Sequence, residues 1–173
     1  DLLDLLEQGR IHGALVKMAP TSRALTEYPI AEVPFVLIGP TYWANLVESG
    51  LPVGDLSSAE LADWLNTRPW VSYSQELPLT RRFFTQTLGS KFSAKQNLIT
   101  PDLRAVVKAV EMGLGSSLVP LYAAAEALKE RRVQELWPVR DLLPKQLWRL
   151  AYRTIHADDP DLLALLQNLK AVR

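Results

Sequence analysis

The sequence predicts an α/β protein built on a mainly parallel sheet with helices on both faces. Strand and helix patterns alternate at least twice between Trp70 and Lys129. A leucine-rich helix feeds a short apolar strand at the start of the chain, which is half of a βαβ unit. The stretch TPDLRAVVKAVEMGLGSSLVP, Thr100 to Pro120, sets a capped helix, a glycine turn and a strand too apolar to be exposed in direct succession.

In that stretch Thr100 is expected as N-cap, Pro101 at the first helical position and Asp102 as a complement to the positive helix end. Leu103, Val106, Val107 and Val110 share one face at helical spacing. Gly113 is expected as the left-handed stop, and SSLVP is the strand that Pro120 ends.

Of 173 residues 48% are hydrophobic, enough for a real core in one domain or two small lobes. Lys and Arg balance Asp and Glu at 19 each, so no global field draws the chain to nucleic acid or an anionic membrane. The absence of Cys excludes disulfides, thiolate nucleophiles and cysteine-ligated metals, and fits a reducing compartment. No apolar run reaches the length of a membrane span, and the first residues lack a signal-peptide pattern. The chain begins at Asp1 directly on a helical pattern, so the strand that should precede that helix, and with it a longer protein, is expected upstream.

In chain order, Leu2, Leu3, Leu5 and Leu6 give an amphipathic helix that Gly9 ends, and GALVK (Gly13 to Lys17) follows as a strand. Met18 to Thr26 reads as a loop, and Val33 to Ile38 as a strand whose Pro34 demands an edge or lead-in position. Tyr42 to Leu51 fits either a short helix or a loop. Ser57 and Glu60 form a capping box ahead of Leu61, Trp64 and Leu65, with the helix ending near Thr67. WVSYS (Trp70 to Ser74) is a strand, Gln75 to Pro78 a loop, and Leu79 to Leu88 a helix presenting Phe83, Phe84 and Leu88 to the core before Gly89. KFSAKQNLI is a strand leading to Thr100; Leu121 to Lys129 is a helix, VQELW a strand and Gln146 to Arg153 another. Asp159-Pro160 starts a last helix with Leu162, Leu163, Leu165, Leu166 and Leu169 on its apolar face and Lys170 and Arg173 at its negative end.

Sites in such sheets lie past the carboxyl ends of the strands. Ser74 to Thr80, Ile99 to Asp102 and Leu118 to Leu121 leave strand ends, and two of these segments lead into helix N-termini suited to a small anion. Lys17 and Met18 stand at the matching end of GALVK. Ser74, Thr80 and Thr100 also suit plain capping, and Lys17, Arg81 and Arg82 suit either countercharge or solvated surface.

Enzymatic motifs are absent. GLGSS follows a helix and precedes a strand, the reverse of the dinucleotide-binding order, and no G-x-S-x-G elbow occurs. His12 and His156 read as surface residues without metal-ligand spacing, while capping and the helix dipole account for Asp158, Asp159 and Asp161. No metal or cofactor is implied.

The ordered set LLDLLEQGRIHGALVK, EYPIAEVPFVLIGP, DLSSAELADWLNTRPWVSY and the helix-MGLG-SSLVP run resembles the effector-binding domain of LysR-type transcriptional regulators over nearly the whole chain. The resemblance implies two α/β lobes of the type II periplasmic-binding-protein kind joined by two crossover segments, with the N-terminal part of lobe I missing. Lobe I is then Asp1 to about Ile38 plus Lys145 to Arg173, and lobe II residues 39–144. It further implies a small, anionic effector in the interlobe cleft at Lys17, Met18, Ser74, Gln75, Thr100 and Pro101, no catalysis, a homodimer or higher homo-oligomer, a cytoplasmic location, and DNA contact only through a winged helix-turn-helix outside this sequence. A transporter's solute-binding protein shares the lobe architecture and stands as the alternative; an enzyme on the same scaffold has only fold analogy behind it.

Overall fold

The structure is a computed structural model that describes residues 1–45 and 53–171. The elements are α1 (Leu2–Glu7), β1 (Gly13–Val16), β2 (Leu25–Val33), β3 (Phe35–Pro40), α2 (Ser58–Asn66), β4 (Trp70–Ser72), α3 (Pro78–Arg82), β5 (Gln96–Ile99), α4 (Leu103–Glu111), β6 (Ser117–Pro120), α5 (Leu121–Lys129), β7 (Val133–Trp137), β8 (Gln146–Arg153) and α6 (Pro160–Ala171). They form two compact units, Asp1–Val33 with Gln146–Arg173, and Pro34–Lys145.

In the first unit β8 lies between β1 and β2 and runs against both. Leu6, Ala14, Leu25 and Ala151 fill the face under α1, while Leu150, Tyr152 and Leu166 fill the face under α6. The segment expected as a loop up to Thr26 gives way to β2 at Leu25. Pro29 and two glutamates disguise this strand in sequence, and it absorbs the irregularity as a register shift between Pro29 and Ala31. In α6 the apolar face is narrower than expected. Leu166 is buried and Leu162 and Leu169 pack beside it, but Leu163 and Leu165 remain 43% and 45% exposed. Asp159 caps this helix, accepting from the Asp161 amide at 2.9 Å. The side chain of Lys170 and all of Arg173 lie outside the described residues, as does the part of Tyr42–Leu51 beyond Asn45; Thr41–Asn45 is a 3₁₀ turn.

In the second unit β4 pairs parallel with β5, and β3 pairs antiparallel with β6 and β7. A parallel bridge between Trp70 and Ser116, with the Val71 amide donating to Ser116 O at 2.8 Å, joins the two ladders in the order β5-β4-β6-β3-β7. Four strands therefore share a direction and β3 opposes them. The mainly parallel expectation holds for this layer, with β3 as its one opposed strand, and fails in the first unit, where β8 runs against both of its neighbours. Pro34 lies just ahead of β3, which is a central strand in this ladder and no edge. Because Phe35–Pro40 pairs with β6 and β7, it belongs to the second unit, and the chain crosses at Val33–Pro34 rather than after Ile38.

One face of this layer packs Phe35, Leu37, Trp70 and Leu118 against Leu61, Trp64, Leu65, Phe83 and Phe84. The other packs Val36, Ile38, Val71 and Val119 against Val106, Val107, Val110, Ala124 and Ala127. The capping box at Ser57 forms in full, with Glu60 accepting from the Ser57 amide at 2.9 Å. The helix expected over Leu79–Leu88 starts at Pro78 and widens into a π turn over Phe83–Thr87, which brings Phe83 and Phe84 inward together.

Thr100 and Pro101 do not hold the helix positions expected of them. Asp102 is the N-cap of α4, its carboxylate accepting from the Arg104 amide at 2.8 Å. Thr100 precedes a proline, which favours extended backbone, and its amide donates to Ser72 O at 2.9 Å, prolonging the β4–β5 pairing.

Candidate functional site

Parallel pairing of β4 with β5 sets Ser72 opposite Ile99, so Tyr73–Glu76 and Thr100–Asp102 leave the same sheet edge side by side. Ser74 is half-buried and its hydroxyl accepts from the Leu77 amide at 3.4 Å, which leaves its O–H able to donate. Gln75 and Pro101 are exposed and Thr100 is half-buried. The Ser72 hydroxyl beneath them is buried with no hydrogen-bond partner. Leu77 adopts the left-handed conformation (φ 49°, ψ 49°) that turns the chain into α3.

Other candidates are drawn elsewhere. Thr80 is buried inside α3. Arg81 donates to Glu76 O at 2.9 Å and Arg82 to Gln86 Oε1 at 2.6 Å, so both guanidinium groups serve local structure. At α4 the cap itself is an acid, and at α5 the Leu121 amide donates to Pro34 O at 2.9 Å. Neither helix start offers the anion site that its sequence suggests.

Lys17 and Met18 follow β1 in the first unit. The Lys17 ammonium lies 5.1 Å from the centre of the Trp148 ring, and Arg149 Nη1 donates to Lys17 O at 2.9 Å. Met18 is 78% exposed. Sequence reasoning missed Ser72, Trp148 and Arg149, since only strand pairing reveals what flanks the ends of β1 and β5.

His156 is half-buried, with Nε2 accepting from Arg153 Nη2 at 2.5 Å, and the exposed His12 ring stands edge-on to it at 6.3 Å. Among the described residues no group of three or more His, Cys, Asp or Glu is placed to hold a metal, and no helix is long and apolar enough to cross a membrane. The perturbed titratable groups lie away from the edge. Hydrogen bonds from Ser57 hold Glu60 below the usual carboxylate range; those from Lys108 and then Arg132 do the same for Glu111; Glu130 and then Glu111 raise Arg132. Two hollows of about 490 and 440 Å³ run along β7 and do not touch the β4–β5 edge; in the first, Arg140 is doubly paired to Glu135. The chain ends that converge after β4 and β5 carry the polar side chains of Ser74, Gln75 and Thr100.

The fold is of the type II periplasmic-binding-like kind, here in two α/β units. Residues 1–173 match the model of the LysR substrate binding domain, and the chain belongs to that family. It is similar to the HTH-type transcriptional regulator AbaB of Streptomyces antibioticus, with 29% identity over 136 residues, 79% of this chain and 44% of that protein. The chain thus spans under half of the curated relative it matches. In fold it is similar to the C-terminal domains of a LysR family protein from Agrobacterium tumefaciens (20% identity, TM-score 0.71, 97% of this chain and 75% of that one). It is also similar to full-length LysG from Corynebacterium glutamicum with bound effector Arg (20% identity, TM-score 0.67, 96% and 52%).

Proposed function

We propose that this chain is the effector-sensing module of a LysR-type transcriptional regulator. It binds a small, anionic metabolite and thereby alters DNA binding by a winged helix-turn-helix in the same protein. The observation that carries this reading is the convergence of Ser74, Gln75, Thr100 and Pro101 on one carboxyl edge, in a chain matched over its whole length by the family model. Lys17 and Met18 are the residues proposed from the first unit. LysG, of like fold, is described with a bound effector, and AbaB is a regulator; both support a regulator over a transporter's solute-binding protein.

Control of this kind needs an effector that binds two states of the protein unequally. The test is operator binding by the full-length regulator across a metabolite panel. Binding that shifts with those compounds that bind the purified protein supports the proposal, and binding unchanged by verified ligands sinks it. The regulator is taken to act in the cytoplasm as a homodimer, checked by light scattering; a monomer at working concentration refutes the dimer.

A further inference from the structure

We propose that the end of the second unit opposite the β4–β5 carboxyl edge is a docking surface for an acidic protein segment. Arg68 and Arg131 meet its carboxylates, and Tyr42, Met112 and Leu114 meet its apolar side chains. This goes beyond the effector-sensing reading and does not depend on it.

Strand direction gathers these residues. β4, β5, β6 and β7 run one way and β3 the other, so the segments entering β4, β6 and β7 meet the segment leaving β3 at one end of the layer. Arg68 lies just ahead of β4, Leu114 ahead of β6 and Arg131 ahead of β7, while Tyr42 follows β3. The contacts between them are continuous. The Ser116 amide donates to Pro69 O at 3.0 Å, which runs Arg68–Pro69 alongside Leu114–Gly115. Tyr42 lies across Gly113, its Oη 2.9 Å from where a Cβ would stand. The Tyr42 ring is edge-on to Trp43 at 6.4 Å, and Trp43 in turn contacts Arg68.

Three side chains on this path are largely apolar yet open to solvent: Tyr42 is 58% exposed, Met112 70% and Leu114 41%. Contiguous apolar exposure set among charges marks an interaction site. Next to Tyr42 in the chain, Thr41 opens on a hollow of about 440 Å³ lined also by Leu128, Val133 and Arg131, with room for an apolar side chain.

The positive charge here is unanswered. The Arg68 guanidinium lies 5.2 Å from the centre of the Trp64 ring and 6.0 Å from that of Trp43, so two indoles hold it in place. Its Nε is shut off from solvent and has no acceptor. Arg131 sits just past the end of α5 in the left-handed region (φ 57°), where the Arg132 amide closes the helix by donating to Ala127 O at 2.8 Å. Glycine is the residue suited to that position, and a strained backbone kept at a charged residue points to use of the side chain. The neighbouring carboxylates are taken: Glu111 by Lys108 and Arg132, Glu130 by Arg132, and Glu135 by Arg140. Among the described residues no carboxylate stands within ion-pair distance of Arg68 or Arg131. Two such cations are too few for a nucleic-acid backbone, whose affinity is built from many phosphate contacts. Set among exposed Tyr and Met, they suit a protein interface, where arginine and aromatic side chains carry most of the energy.

The test pans the purified protein against a random-peptide display library. Enriched peptides are then synthesised and their affinities measured by fluorescence anisotropy for wild type, Arg68→Glu, Met112→Glu and Arg131→Gly, with melting temperatures as the folding control. The enriched peptides should combine Asp or Glu with Leu, Phe or Trp. Arg68→Glu and Met112→Glu should each weaken them about tenfold or more, the scale of a lost hot spot. Arg131→Gly should weaken them several-fold while melting no lower than wild type, because glycine relieves the left-handed backbone. A purely structural arginine would not give that pair of results. If Arg68→Glu lowers the melting temperature, Met112→Glu at its exposed position and Arg131→Gly carry the decision. The proposal is overturned if no peptide is enriched, if the enriched peptides lack acidic residues, or if their binding ignores Met112→Glu and Arg131→Gly. A labelled random-sequence DNA duplex that binds wild type and is lost in Arg68→Glu would assign this end to nucleic acid and overturn it as well.

Discussion

The Thr100 amide donates to the Ser72 carbonyl at 2.9 Å, so the chain leaving β5 stays tied to the end of β4 for one residue beyond the strand. This contact keeps Ser74 and Thr100 on neighbouring paths. It also pushes the start of α4 back to Leu103, which separates the residue at the sheet edge from the residue that caps the helix.

That separation makes stability and binding separable. Asp102→Ala removes the capping carboxylate and should cost about 1 kcal/mol, a fall of about 2–4 °C in melting temperature for a chain of this size. Thr100→Ala should change the melting temperature by far less, yet weaken ligand binding if the β4–β5 edge is the site. A larger melting loss from Thr100→Ala than from Asp102→Ala contradicts the assignment of the cap.

Gly115 allows β6 to approach β4. Its φ is +154°, and a Cβ there would stand 2.5 Å from Pro69 O. Both objections are to backbone, which cannot swing aside, so Gly115→Ala should destabilise by about 2 kcal/mol or more. Gly89 is also left-handed, at φ +66°, but a Cβ there meets nothing within 4 Å. Gly89→Ala should cost only the conformational strain of about 1 kcal/mol. Urea titrations of the two variants give the comparison, and equal midpoints would mean that the Pro69 contact is relieved by movement.

Elements with their own local signal were legible in the sequence. Ser57 and Glu60 announce α2, and the limits of α5, β7 and β8 fall where their patterns place them. What escaped depends on partners remote in the chain. The direction of β3 is set by β6 and β7, some eighty or more residues later, and β2 is recognisable only through β8. The surroundings of the candidate residues were half legible for the same reason. Ser74 and Thr100 follow strands visible in the sequence, whereas the contacts of Lys17 with Trp148 and Arg149 need the β1–β8 register.

The narrow apolar face of α6 predicts unequal leucines. Leu166 is buried against Leu150 and Tyr152, so Leu166→Ala should cost about 2–4 kcal/mol. Leu163 and Leu165 are more than 40% exposed, and Leu165→Ala should cost under about 1 kcal/mol. Thermal unfolding decides this, and a larger loss at Leu165 would mean that its face is covered in solution.

Glu111 should make folding stability depend on acid pH. Its carboxylate accepts from Lys108 Nζ and Arg132 Nη1, each at 2.6 Å, and these bonds hold it below the usual carboxylate range in the folded chain. In the unfolded chain the bonds are gone and the group titrates in its ordinary range. The lowered folded value means that the unfolded state takes up a proton first as pH falls. The contribution is therefore complete above the unfolded value and is lost as pH drops through the folded one. Arg132, raised by Glu130 and then Glu111, stays charged throughout this range and adds no slope of its own. Glu111→Gln should flatten the acid limb of the melting-temperature profile between about pH 5 and pH 3, while leaving the neutral-to-alkaline side parallel to wild type. Glu60→Gln should flatten the same limb through its lost bonds to Ser57. Because Glu60 and Glu111 share no partner, the double variant should show the sum of the two effects. A profile that remains as steep as wild type in both single variants would place the acid sensitivity on other carboxylates.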